Sequence, residues 1–248
     1  MTSQDLFANS VRDIINANRE LKKSPDGWQS YIGTIHSCVN NIDISGVMLD
    51  NGRLGERLQI IDEVQEFAYF DADNGGIDVL ARWCEKEWNR IKESYPEHAT
   101  AFEGHGRWWL LNAQQYVAKI SREEGSDEED AVADRRRGTE DYYQARVAFS
   151  SAVGLFKQSE ENAKKHHCLT GKLLELKAEA CISLGNVSST RDSRPHFEAA
   201  LDALRAAERL QGYRLPTHLT QYVSLVRHIG RLLISSGRYL REHEYVLR

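Results

Sequence analysis

The chain has 248 residues, 28.3 kDa and a net charge of −5, from 32 Lys and Arg against 37 Asp and Glu. With 41% hydrophobic and 28% charged residues it can bury one large core or two small ones, which excludes a wholly disordered chain. Only 4 Pro and 17 Gly exclude collagen-like and Pro-rich classes.

The apolar spacing is helical nearly throughout. Leu6, Val11, Ile14, Ile15 and Leu21 form a first stripe. Pro25 suits the first turn of the next helix, which continues through Trp28, Tyr31, Ile32, Ile35 and Val39. A looser stretch covers 41–53, and helical spacing resumes from Leu54 to Phe70. Asp73-Asn74-Gly75-Gly76 signals a turn. Ile77, Leu80, Cys84, Trp88 and Ile91 follow, stopped at Pro96. Further helices are predicted over 97–124, 139–165, 169–187, 195–210 and 216–243, giving about nine in an all-α fold. The acidic run Glu123–Asp130 and the Arg135–Arg137 triplet break the pattern and predict a solvated loop over 123–138.

No apolar run approaches the roughly 18 residues of a membrane span, so membrane insertion is not expected. The opening residues lack the pattern of a secretory signal or transit peptide. Cys38, Cys84, Cys168 and Cys181 are widely spaced and read as reduced thiols, which fits a cytoplasmic or nuclear protein. Charge is uneven: residues 43–78 hold nine acidic residues against two Arg, and 205–248 hold eight Arg against three Glu. These are exposed helix faces or a bipolar surface that steers a charged partner and permits self-association.

Two segments place an aromatic, then Ala after three, a bulky apolar after four and Ala after three more. They are Tyr142-Ala145-Phe149-Ala152 and Phe197-Ala200-Leu204-Ala207. Phe102-His105-Gly106-Trp109 follows Pro96, and Tyr222-Leu225-Val226-Ile229 follows Pro216 at the same offset. Leu184-Gly185 stands ahead of Phe197. In these patterns the chain resembles the tetratricopeptide-repeat family over residues 77–236. It departs from the family between Gly106 and Ala145, 39 residues apart, where about 12 are usual; an insertion of roughly 27 holds the acidic loop.

The resemblance implies antiparallel helical hairpins stacked as a right-handed solenoid over 73–248, with 1–72 as an N-terminal helical or capping region. It also implies a partner segment held in a groove lined by first helices. Glu103, Arg107, Asn186, Arg227 and Arg231 fall at groove positions, for charge-assisted hydrogen bonds to that partner.

The residues themselves carry no catalytic constellation. His166-His167-Cys168 cannot chelate one ion easily, because neighbours on a helix point about 100° apart. Phosphate loops, the zinc-hydrolase helix motif and the nucleophile elbow are all absent from the sequence. Neither metal nor cofactor is expected. Ser126, with an acidic residue at each of the next three positions and beyond, is a candidate phosphoacceptor. Trp88 and Trp109 read as hairpin core; Trp83 and Trp108 fall on other faces, where packing is favoured over an exposed anchor for a partner. The expected function is a non-enzymatic adaptor or scaffold subunit binding a protein or peptide. The alternatives are a nucleic-acid-associated subunit, disfavoured by a pI near 6.0, and a helical enzyme or small-molecule binder.

Overall fold

The computed structural model describes residues 3–123 and 136–224. These residues are all-helical, with no strand among them. The helices are α1 (Ser3–Lys23), α2 (Ile32–Ser45), α3 (Leu54–Ala68), α4 (Asp78–Ser94), α5 (Ala99–Glu123), α6 (Glu140–Lys165), α7 (Gly171–Val187) and α8 (Thr190–Glu208). A further helical segment occupies 217–224. No helix among the described residues is long and apolar enough to cross a membrane. The chain forms two compact units, Met1–Glu124 and Gly125–Arg248.

The first unit is built from α1 to α5. α1 packs on α2, α3 on α4, and α4 on α5; in addition α1 meets α3 and α3 meets α5. Short connections between packed neighbours make them antiparallel hairpins. Their apolar stripes merge in one core, with Ile14, Leu21, Ile35, Ile42, Ile61, Phe67, Cys84, Trp88 and Ile91 all buried. Pro25 opens a 3-10 segment (Pro25–Tyr31) rather than an α-helix, so α2 begins at Ile32. The Asp71–Gly76 turn needs glycine at its end: Gly76 has φ +68°, and a Cβ there would stand 2.4 Å from the Ala68 carbonyl oxygen. That carbonyl accepts from Ile77 N at 2.7 Å, which seats α4 against the end of α3.

The tryptophans pack as favoured, with a difference of degree at Trp109. Trp83 and Trp108 are buried, at 8% and 7% exposed, and Trp109 is the half-buried one. Burial is tolerated because each indole N–H finds an acceptor: Trp83 donates to Asp43 Oδ1 at 3.0 Å and Trp108 to the Ala81 carbonyl at 2.7 Å. The residue that admits a large ring is Gly104, where a Cβ would lie 2.3 Å from the Trp88 ring. The fully buried Gln65 ties three helices there. Its Oε1 accepts from Trp88 Nε1 at 2.7 Å, and its Nε2 donates to the Gly104 carbonyl at 3.3 Å.

In the second unit α6 packs on α7 and α7 on α8. Tyr142, Ala145, Phe149 and Ala152 all face inward on α6, and Ala200, Leu204 and Ala207 do so on α8. Ala200 and Leu204 share a cluster with Ala178, Cys181, Leu219, Tyr222 and Val223. α8 starts five residues before the predicted 195 because Ser189 caps it, its hydroxyl accepting from Asp192 N at 3.3 Å. Pro195 therefore lies inside the helix.

Candidate functional site

Glu103 and Arg107 stand one turn apart on α5, so they share a face, and both are half-buried. Arg107 already has a partner on α3. Its Nη1 donates to Asp62 Oδ1 at 2.5 Å, with the side chains 32% and 47% exposed. The same edge of α3 reaches α1. Asn18 Nδ2 donates to the Glu63 carbonyl at 2.9 Å and to Glu63 Oε2 at 2.8 Å, and Lys22 pairs with Glu66 at 2.8 Å. Polar bridges thus join α1, α3 and α5 side by side, with Asp62, Glu63 and Glu66 as the central acidic strip. An ion pair as exposed as Arg107–Asp62 is worth about 0–1 kcal/mol, so Arg107 can exchange Asp62 for a partner's carboxylate at little cost.

Asn186 belongs to the other unit. It is exposed on the last turn of α7, beside Gly185, which faces the Phe197 ring. The carbonyl next to it, of Val187, is capped by Arg146 Nη1 at 2.9 Å. Arg227, Arg231 and Ser126 lie outside the described residues, as do residues 124–135 of the acidic loop. His166, His167 and Cys168 form an exposed turn after α6.

Two side-chain networks in the second unit escaped the sequence. Glu160, 8% exposed, accepts from Lys164 at 2.6 Å and Lys177 at 2.5 Å. Burial pushes its carboxyl up, but the two lysines outweigh this and hold it below the usual range. Glu175 pairs with Lys172 and accepts from the Tyr213 hydroxyl. One turn on, burial and the Glu175 charge raise Glu179, which His218 Nε2 meets at 3.5 Å. The Tyr213 ring lies over Gly171, where a Cβ would sit 2.1 Å away. Both networks tie elements together. Burial raises the Cys38, Cys84 and Cys181 thiols, the last to about 11. Among the described residues no three His, Cys, Asp or Glu side chains are grouped to hold a metal ion.

A concavity of about 470 Å³ opens between α1 and α2. Leu6, Asn9, Ser10 and Asp13 line it from α1, facing Gly33, Thr34, Ser37, Cys38 and Asn41 of α2. Its α2 wall was visible in the sequence only as small and polar residues at Gly33, Ser37 and Asn41, four apart. What they face depends on how the hairpin closes. Compared with known protein families, curated proteins and solved structures, the chain matches none of them.

Proposed function

We propose that this chain is a protein-binding adaptor or scaffold subunit, tetratricopeptide-like in the stacking of its hairpins, that takes a partner segment on the α1/α3/α5 face. The observation that carries this reading is the polar bridging of three non-consecutive helices with Arg107 half-exposed among them. In a stack of hairpins the first helix of each hairpin meets the first helix of the next, and these helices present one continuous surface. An extended segment laid across it meets acceptors on α3 and a guanidinium on α5. The function is binding rather than catalysis, and the setting that fits the sequence is cytoplasmic or nuclear.

The test is capture of partners by the full chain with crosslinking mass spectrometry, comparing wild type, Asp62→Asn and Arg107→Gln. Asp62→Asn frees the guanidinium and is expected to strengthen the captured complex, while Arg107→Gln weakens it by about tenfold or more. A complex indifferent to both variants, with crosslinks away from α1, α3 and α5, overturns the assignment.

A further inference from the structure

The chain holds two Asn-Gly pairs, Asn51-Gly52 and Asn74-Gly75, and both asparagines are exposed. In this dipeptide the backbone nitrogen of glycine can attack the preceding side-chain amide, because no Cβ stands in the way. As sequence the two pairs are equivalent. Their surroundings are not.

At Asn51 the neighbours are set for that attack. Gly52 N, the nucleophile, donates to Asp50 Oδ1 at 2.8 Å, so a carboxylate already holds the proton that must leave. Arg57 Nη1 donates to Asn51 Oδ1 at 3.2 Å. Arginine only donates, so the atom it meets is the amide oxygen, where negative charge develops when Cγ is attacked. Asn51 Nδ2, the leaving group, has no partner within the described residues. The Tyr95 hydroxyl donates to the Asn51 carbonyl at 3.0 Å and steadies the segment.

Arg57 is 1% exposed, its Nε has no acceptor, and it has no ion pair within the described residues. Both oxygens of Glu87, whose carboxyl it influences, accept from Arg90 at 2.9 Å. A buried guanidinium resting on one neutral amide is under-satisfied, and a carboxylate at position 51 would give it a charged acceptor.

Asn74 lacks these features. Gly75 N donates to the Ala72 carbonyl at 2.9 Å, which is no base. Asn74 Nδ2 is held by both Asp71 oxygens, at 2.9 and 3.0 Å. Arg122 Nη2 reaches Asn74 Oδ1 only at 3.5 Å, on the exposed surface.

We propose that Asn51 is a self-modification site, converted to aspartate by its own neighbours Asp50, Gly52 and Arg57. Gly52 N forms a bond to Asn51 Cγ while its proton passes to Asp50. The Cγ–Nδ2 bond then breaks, and Nδ2 leaves as ammonia with the proton that Asp50 returns. Water opens the resulting five-membered imide. Arg57 polarises the Cγ carbonyl, so water adds there and the Cγ–N bond breaks, with a proton returning to Gly52 N. The normal backbone is restored, now with a carboxylate facing Arg57. The site is independent of the α1/α3/α5 face and stands or falls separately from it.

The test is peptide mapping by mass spectrometry of the full chain, incubated at neutral pH both folded and in urea. Each site's folded rate is divided by its rate in urea, which removes the intrinsic reactivity of the dipeptide. On that scale Asn51 is expected to convert about tenfold or more faster than Asn74, with aspartate rather than isoaspartate as the main folded product. Asp50→Ser keeps an oxygen to accept from Gly52 N but removes the base, and position 50 is exposed. It is expected to slow Asn51 by about tenfold and to leave Asn74 unchanged. Asn51 no faster than Asn74, an Asp50→Ser rate equal to or above wild type, or isoaspartate as the main folded product overturns the proposal.

Discussion

His105 is 5% exposed, and neither ring nitrogen has a hydrogen-bond partner within the described residues. It packs beside Trp108 and Trp109, with ring centroids 6.0 and 6.4 Å away. Burial, and then the Lys92 charge, push its pKa from 6.5 down to about 3. A histidine whose folded value is depressed is neutral in the fold while the unfolded chain takes up a proton. The fold therefore keeps its full stability above about pH 6.5 and loses it progressively as pH falls toward about 3. His105→Phe keeps the ring and removes both orphan nitrogens. It is expected to stabilise the protein by about 1–3 kcal/mol, with a gain that is larger at about pH 5 than at about pH 7.5. Thermal melts of the two proteins across that range check this, and a gain independent of pH sinks the argument.

Among elements, Tyr213 makes the first of the contacts that hold the segment after α8 to α7. Tyr213 lays its ring on Gly171 and donates its hydroxyl to Glu175, and burial followed by that carboxylate raises the phenol well above its usual range. Tyr213→Phe keeps the ring contact and loses a hydrogen bond to a charged group. The expected cost is about 1.5–3 kcal/mol, with faster amide exchange over 210–220, measured by denaturant unfolding and hydrogen exchange. A loss confined to the α6–α7 pair would contradict the placement. At this scale the sequence was legible in part. The stripes that put Ala145, Phe149 and Ala152 on α6, and Ala200 and Leu204 on α8, are local periodicity, and these residues are buried. The start of α8 was missed because a serine cap outweighed the proline as a boundary signal. Exposure stayed open as an alternative for Trp83 and Trp108 because the α-helical period says which residues share a face. It does not say how many faces have neighbours. α4 and α5 bury more than one.

On the scale of the whole molecule, the first unit has a continuous core from Phe7 on α1 to Trp108 on α5. A fragment ending at residue 124 is therefore expected to fold by itself, with strong helical circular dichroism and one cooperative melting transition. A broad, non-cooperative melt would show that this core needs the second unit. The candidate site was less legible than the fold. Glu103 and Arg107 could be placed on one helix face from their spacing, but Asp62, 45 residues away in sequence, could not be named as the partner of Arg107. The α1–α2 groove was not foreseen at all.

The sequence by itself determined that this is a helical protein, where most helices lie and which stripe of each faces inward. Each of these follows from backbone propensity and the 3.6-residue period, within reach of a few neighbouring side chains. Only the tertiary structure decided which helices pair, that Gly104 makes room for Trp88, that Arg107 meets Asp62, and that Asp13 lines a groove between α1 and α2. Those outcomes depend on how side-chain ridges and volumes from distant segments fit together, and no local pattern encodes that fit.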